Sequence, residues 1–383
     1  MLGFLLYLDT LVFAPYVFAL VVALYAIIAR KNQLSIVVRR NNRFLVVFAL
    51  FLFLCTLNTL VHGFNGIPNM YMQVFMLATA FALDSKDAKV FILLTCAECL
   101  VGAAEYYLGV SSFVQADPDF FEGEELLYFK RVNGLSGNSS TLSEKVLISS
   151  VLLYGIRDEL KKRTRQLMLV ILLLGLFISF NRTAIITYLV FIICIFLQQY
   201  KSQSKKYRTL IVFLTVICVV PAIVVFWANF GELITLQFSR GGDTESMLTG
   251  RPYIWSLFGK FISDHLLLGN GSVHLLVPYY SGLIHSHNSF IQLLADHGLI
   301  LAVIYLLNVL LRFNKYNWLY CFPFIVLSLT QYTLFWGYSM GDVFFFALLC
   351  NPYIVCGNNA HTVKRESFSV ETVRVKNEQL SSI

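Results

Sequence analysis

The sequence predicts an all-α polytopic membrane protein, and three observations predict it. Apolar residues make up 57% of the chain and charged ones 13%, about half of the roughly 25% charged share of a soluble protein. The apolar residues collect in runs near the length of one bilayer crossing, about 20 residues. The charged residues collect between the runs, and the basic ones favour alternate connectors. A net charge of +7 would suggest a nucleic-acid partner only if the basic residues clustered on a folded polar face. Spread between spans they report topology instead, so no nucleic-acid partner is expected.

Taken in order, residues 2–29 read as one long span interrupted by Asp9 and Pro15, too short for two full crossings. The N-terminus lacks a basic n-region and a small-residue cleavage site, so this span is expected to be retained. A basic connector with Arg30, Lys31, Arg39, Arg40 and Arg43 follows. Further spans fall near 44–61, 68–83, 90–110 and 142–156, with a polar acidic segment at 111–141 before the last. After RDELKKRTR come spans at 166–180 and 184–199, separated only by NRT, and then KSQSKKYR and a span near 209–228. A long loop occupies about 229–288, and the final spans lie near 289–311, 318–335 and 342–356. The expectation is about eleven transmembrane helices in a single membrane domain over 1–356, with a polar tail over 357–383 that reads as disordered. The eight cysteines all lie in or beside apolar runs, which predicts no disulfide framework. Cys96 and Cys99 form a C-x-x-C inside a span, where two small residues facing lipid or a neighbouring helix is the better reading.

Most of the 29 Lys and Arg fall in the connectors 30–43, 84–89, 157–165, 200–208 and 312–317 and in the tail. Lys and Arg bias sets orientation, so these are assigned to the cytoplasm. The 111–141 segment, the NRT turn and the long loop then face outward, and so does the N-terminus.

The outward stretch from Gly250 to Gly298 holds His265, His274, His285, His287 and His297, five of the seven histidines. Pro252 suits the first turn of a helix. In YIWSLFGKFISD, Ile254, Trp255, Phe258, Phe261 and Ile262 share one face, which predicts an amphipathic helix lying in the interface. Arg251 then sits at a helix N-terminus, where free N–H groups favour an anion. It reads equally as a phosphate clamp or as a contact to lipid headgroups. Arg182 sits in a turn too short to leave the membrane surface by much, so it faces a cavity or snorkels to the interface. Together the two arginines could hold a diphosphate without a metal. His285 and His287, in IHSHNSF, are candidate general bases. An ordinary exposed loop histidine is the default reading of either one alone, and no Cys or carboxylate stands nearby at zinc-site spacing. Ser289 and Gln292 fit a capping box, placing His287 and Asn288 at the mouth of a helix. Glu98 and Glu105, seven apart, would share a helix face and, with Asp9 and Asp342, could line an ion or proton path. For Glu105 and Asp342 plain interfacial placement fits better.

At these residues the chain resembles the O-antigen polymerase and O-antigen ligase family of bacterial polytopic glycosyltransferases. SFNRTAI at 179–185 is similar to the family's S-R-T-A turn between adjacent spans. GRPYIW at 250–255, followed by DHLLLGNG at 264–271, resembles its G-R-x-x-x-W and h-P-l-x-G-x-G elements. HSHNSFIQLLADHG at 285–298 resembles its H-N-x9-G signature, and RVNGLSGNSS at 131–140 an R-x-x-G-x-x-x-N element. Asn181, Leu266 and Leu301 depart from the family pattern. Leu301 stands where the ligase tends to have Gly, Thr or Tyr, which disfavours the ligase.

The resemblance implies an enzyme of the bacterial inner membrane, its active site facing the periplasm. It implies donor and acceptor glycans carried on undecaprenyl diphosphate, with membrane lipid and a chain-length regulator as further candidate partners, and neither metal nor nucleotide sugar as cofactor. Arg182 and Arg251 would hold the diphosphate and His287 would take a proton from the attacking hydroxyl. His285, Asn288, Arg131 and Arg240 are weaker candidates for substrate contact. The polymerase is the leading expectation and the ligase the alternative. A transporter or flippase, in which Glu98 and Glu105 would matter more than the loop, and a scaffold without chemistry are rival classes.

Overall fold

The computed structural model describes residues 1–8, 15–63, 69–110, 112–113, 132–202, 251–279, 282–314 and 317–356. The predicted span near 209–228, Arg131, Arg240 and the tail lie outside them. The described chain is mostly helical. Helices α1 (Leu2–Leu8) and α2 (Pro15–Ala29) lead to α3 (Lys31–Arg40), α4 (Asn42–Val61), α5 (Met72–Ala82) and α6 (Ser85–Leu108). Then come α7 (Ser139–Gly155), α8 (Lys162–Ile178), α9 (Arg182–Ser202) and α10 (Arg251–Asp264). A short antiparallel hairpin, β1 (Val277–Tyr279) and β2 (Gly282–Ile284), pairs Val277 with Ile284. Helices α11 (Ser289–Leu310), α12 (Trp318–Ser328), α13 (Met340–Cys350) and α14 (Tyr353–Cys356) complete it.

Among the described residues three helices, α4, α9 (over Arg182–Tyr200) and α11, are long and apolar enough to cross a membrane, or four if the bent pair α2–α3 is one span. Of the eleven predicted spans, the one near 209–228 lies outside the described residues, and several others form helices shorter than 18 residues, such as α5, α7, α8, α12 and α13. The basic connector after residue 29 is itself helical, as α3, and turns by 96° from α2. The predicted 318–335 run is helical only to Ser328, and the rest folds back as a loop. Runs of apolar residues predict burial in lipid or protein, and a short helix packed inside the bundle satisfies both.

Two buried polar systems fix the first helices. Lys145 on α7 and Glu98 on α6 are fully buried and meet at 3.0 Å. Glu98 also accepts from Tyr7 at 2.7 Å and from Ser136 at 2.5 Å, and the ammonium lies 4.2 Å from the Tyr7 ring centre. One carboxylate thus joins α1, α6, α7 and the turn before α7. Glu105 accepts from the backbone N–H groups of Phe113 and Gly134, both at 2.8 Å. The two acids share a face of α6, as predicted, and both hold protein groups. The Cys99 thiol packs against α8, where a Cβ added at Gly175 would lie 2.2 Å from its sulfur.

The N-terminal amine donates to Asp87 at 3.0 Å, and Arg30 reaches Asp84 at 2.5 Å and Asp87 at 3.5 Å. Both ends of the 1–30 segment therefore meet on the 84–87 connector, so the N-terminus lies on the side of the basic connectors, not opposite them. The expectation of an outward N-terminus took this segment as one crossing, whereas both of its ends lie beside Asp87. Asn41 binds the Val37 and Cys350 carbonyls and accepts from Arg312, which marks the same end of the bundle. Helix α11 runs antiparallel to α4 from there, since Asn308 donates to the Phe44 carbonyl while His297 lies beside Cys55. The start of α11, at Asn288, is thus at the far end, across roughly 30 Å of helix.

Candidate functional site

The far end is built on an interlock of glycines. Helix α11 is broken at Gly298, whose φ of 75° and ψ of 172° belong to no helix. The break frees backbone groups that the 265–272 loop takes up. Asn270 N–H donates to Ala295 O at 2.9 Å, Ser272 N–H to Asp296 O at 2.8 Å, and Leu299 N–H to Leu266 O at 2.8 Å. The backbones approach so closely that a Cβ at Gly298 would lie 2.3 Å from Leu267 O, and one at Gly269 2.4 Å from Gly298 N. Only glycine combines that conformation with that approach. From the other side Asn58 on α4 donates to Leu268 O and to the Ser272 hydroxyl, and Thr59 donates to Gly271 O. The glycines of DHLLLGNG and of H-N-x9-G are therefore two halves of one joint.

Helix α10 lies over the first part of α11. Ile254 and Phe258 are buried with Val277 and Ala295, and Leu257, Phe261, Ile262 and Ile291 pack around them. The predicted apolar face exists, but it faces protein rather than a lipid interface. Trp255 donates from Nε1 to the Ser286 carbonyl at 2.8 Å, which ties α10 to the histidine loop.

That loop is held from several directions. Ser286 is fully buried; its N–H donates to Gln292 Oε1 at 2.8 Å and its hydroxyl to the Asn288 carbonyl at 2.7 Å. Asn288 caps α11, its Oδ1 accepting from Phe290 and Ile291 N–H, while its Nδ2 donates to Leu329 O at 2.7 Å. The helix cap is thus Asn288 and not the predicted Ser289. Gln292 braces the loop instead of completing a capping box. Asn288 positions the loop, and both its side-chain oxygen and its nitrogen have protein partners. His287 takes up the strain, with φ at 52°. Such backbone costs on the order of 1–3 kcal/mol and persists only where the surroundings impose it.

The imidazoles gather around two aromatic rings. His285 and His287 have ring centres 4.4 Å apart. His285 lies 5.4 Å from Tyr332 and 5.7 Å from Trp336, and His274 lies 5.5 Å and 5.4 Å from the same two rings. Tyr332 and Trp336 touch each other at 4.5 Å. All five side chains are half-buried. His274 is oriented by Asp296, which it meets through Nδ1 at 3.0 Å, and Asp296 also accepts from Leu275 N–H and from Gln292, both at 2.8 Å. Tyr332 and Trp336 sit on the loop after α12. Asp342 secures that loop by accepting from the N–H groups of Phe335 at 2.6 Å and Trp336 at 3.1 Å.

The cations complete the site. Arg182 is the first residue of α9, where Asn181 Oδ1 accepts from Ala184 N–H, and Arg251 is the first residue of α10. Burial, and then the charge of Arg182, lower the Arg251 pKa from its ordinary value. Burial, and then the charge of Arg251, hold the His287 imidazole below the usual histidine range. His285 is pushed down to about 4 by burial, then by His287 and His274. Arg182, Arg251 and His287 thus lie within electrostatic reach in series, although far apart in sequence.

Of the predicted site residues, Arg182, Arg251, His285 and His287 come together. Sequence reasoning counted His274 without giving it a role and missed Asp296, Tyr332 and Trp336. The polar and glycine residues in SLTQYTLFWGYS, atypical of a lipid-facing run, were the available signal.

A family model described as O-antigen ligase matches residues 167–306. The match runs from α8 through most of α11 and takes in Arg182, Arg240, Arg251, His285, His287 and Asn288, with Arg131 ahead of it. It supports the O-antigen ligase and polymerase family, whose members are membrane enzymes resembling glycosyltransferases. The match leaves polymerase and ligase equally open. A search of curated proteins finds no match.

Proposed function

We propose that this protein is a membrane glycosyltransferase that polymerises oligosaccharide repeat units carried on undecaprenyl diphosphate, working at the periplasmic face of the inner membrane. The observation that carries the reading is the meeting of Arg182, Arg251 and His287 at the end of the bundle away from the basic connectors. Two guanidiniums at two helix N-termini form a place for a diphosphate. In the reaction a hydroxyl of the new unit attacks the anomeric carbon of the donor chain. The bond from that carbon to the diphosphate oxygen breaks, and its electron pair leaves on the diphosphate. Preorganised positive charge stabilises that leaving group. His287, kept neutral by burial and by Arg251, takes the hydroxyl proton. A single displacement inverts the anomeric configuration, and neither a metal nor a nucleotide sugar enters the step. Arg131 and Arg240 remain candidate substrate contacts.

The ligase, which moves a finished chain to lipid A-core, is the second reading, and the family match favours it equally. Leu301 supports the polymerase. The protein partners of Glu98 and Glu105 weigh against a transporter path through them.

Deleting the gene in its own host separates these readings. Lipid A-core capped by single units, without long chains, supports the polymerase. Loss of all capping, with long lipid-linked chains accumulating, supports the ligase. In the complemented strain Arg251→Ala and His287→Ala are expected to shorten the polymer greatly at unchanged protein level. Wild-type chain lengths in both would refute the site and favour a scaffold.

A further inference from the structure

The site has two chemically different halves. One is cationic, with Arg182 and Arg251. The other is a wall of rings, with Tyr332 and Trp336 backed by His274. His285 and His287 join them. The cationic half suits a diphosphate, whereas Tyr332 and Trp336 carry no positive charge to set against one.

The ring wall has what a sugar needs. A pyranose presents an apolar face of C–H groups with slight positive charge, which suits the negative face of an aromatic ring. It also presents hydroxyls, which need a few placed polar atoms. His274 supplies one. Asp296 engages Nδ1, so Nε2 is the nitrogen left, and it is buried without a hydrogen-bond partner among the described residues. A hydroxyl can donate to that atom or accept from it. The arrangement is also rigid. Asp342 fixes the Trp336 loop, Gly337 passes the Asn69 carbonyl where a Cβ would lie 2.5 Å away, and Gln292 locks Asp296. Such bracing is what a binding subsite requires of its supports.

We infer that Tyr332, Trp336 and the Asp296-oriented His274 form a subsite for the acceptor sugar, holding its ring against the aromatic wall and one of its hydroxyls at His274 Nε2. The inference rests on the glycosyl-transfer reading in taking the bound sugar to be the acceptor. The sugar-binding claim itself can be tested apart from that reading. In this role His274 and Asp296 are positioning residues, and the proton still passes to His287.

The test uses the full chain in lipid nanodiscs and two soluble probes. One is the oligosaccharide released by mild acid from the lipid carrier of a host strain lacking this gene. The other is inorganic pyrophosphate. Binding of each is measured by calorimetry or saturation-transfer NMR. His274→Gln and Trp336→Leu are each expected to weaken the oligosaccharide by about threefold to tenfold and to leave pyrophosphate unchanged. Arg251→Gln should do the reverse. Retained pyrophosphate binding also shows that a variant is folded, and if His274→Gln fails that check, Trp336→Leu decides. Oligosaccharide bound equally by wild type and folded variants, or not bound by the wild type, overturns the subsite. Oligosaccharide bound as expected, with pyrophosphate indifferent to Arg251→Gln, overturns the diphosphate reading and leaves the sugar subsite standing.

Discussion

Replacing Gly298 with alanine tests the joint on which the site is built. The residue has φ of 75° and ψ of 172°, a region open essentially to glycine alone, which costs another residue on the order of 1–3 kcal/mol. The new Cβ would sit 2.3 Å from Leu267 O and 2.5 Å from Leu268 N. Both are backbone atoms, so the loop itself must move. Moving it breaks the Asn270–Ala295, Ser272–Asp296 and Leu299–Leu266 hydrogen bonds, each worth about 0.5–1.5 kcal/mol net. The expected loss is roughly 3–7 kcal/mol if strain and all three bonds contribute. Gly259 provides the control. It lies within α10, and a Cβ there meets nothing within 4 Å. Gly259→Ala should be neutral or stabilise by about 0.5–1 kcal/mol, because glycine is a poor helix former. The assay is thermal unfolding of the purified protein in nanodiscs, with proteolysis of the 265–275 loop at a temperature where the wild type resists. Gly298→Ala should melt well below Gly259→Ala and be cut in that loop. If the two variants melt together and the loop stays protected, the interlock is not what holds this end of the bundle.

Further outcomes follow from the charges. Lys145→Met should destabilise strongly, by about 3–5 kcal/mol, because it strands the buried Glu98 carboxylate. Adding Glu98→Gln should recover part of that loss in the same melting assay; a double variant no better than the single would refute the pairing argument. The pH dependence of transfer follows from His287. Its pKa is depressed, so the imidazole stays neutral, and able to accept a proton, below the pH at which an ordinary histidine would charge. Activity should therefore persist on the acid side of the histidine range. Arg251→Gln removes the second cause of the depression, so the acid limb of its residual activity should move to higher pH. An unmoved or lowered limb would separate Arg251 from His287. The depressed pKa values of His285 and His287 also mean that the unfolded chain binds more protons in mildly acidic solution. Their contribution to stability is fully present above the unfolded histidine pKa and falls as the pH drops from there toward the depressed values. Replacing His285 with asparagine should flatten the loss of melting temperature across that interval.

The membrane class and most helices were legible in the sequence because an apolar run has one physical meaning, the need to leave water. The glycine and histidine motifs between 250 and 298 were legible as a pattern. What each glycine is for was not. Gly298 and Gly269 matter because two backbones separated along the chain touch, and no local period encodes such an approach. Nothing local to Lys145 points to Glu98, its buried partner, which is remote in sequence. The N-terminus read as outward because a count of apolar residues cannot show that Met1 and Arg30 both reach Asp87. Tyr332 and Trp336 were hidden for the same reason, since an aromatic residue in an apolar stretch looks alike whether lipid, a helix or an imidazole lies beside it. Composition determines which residues must be buried. Only the tertiary structure decides what they are buried against, because that choice depends on contacts whose members the sequence holds far apart.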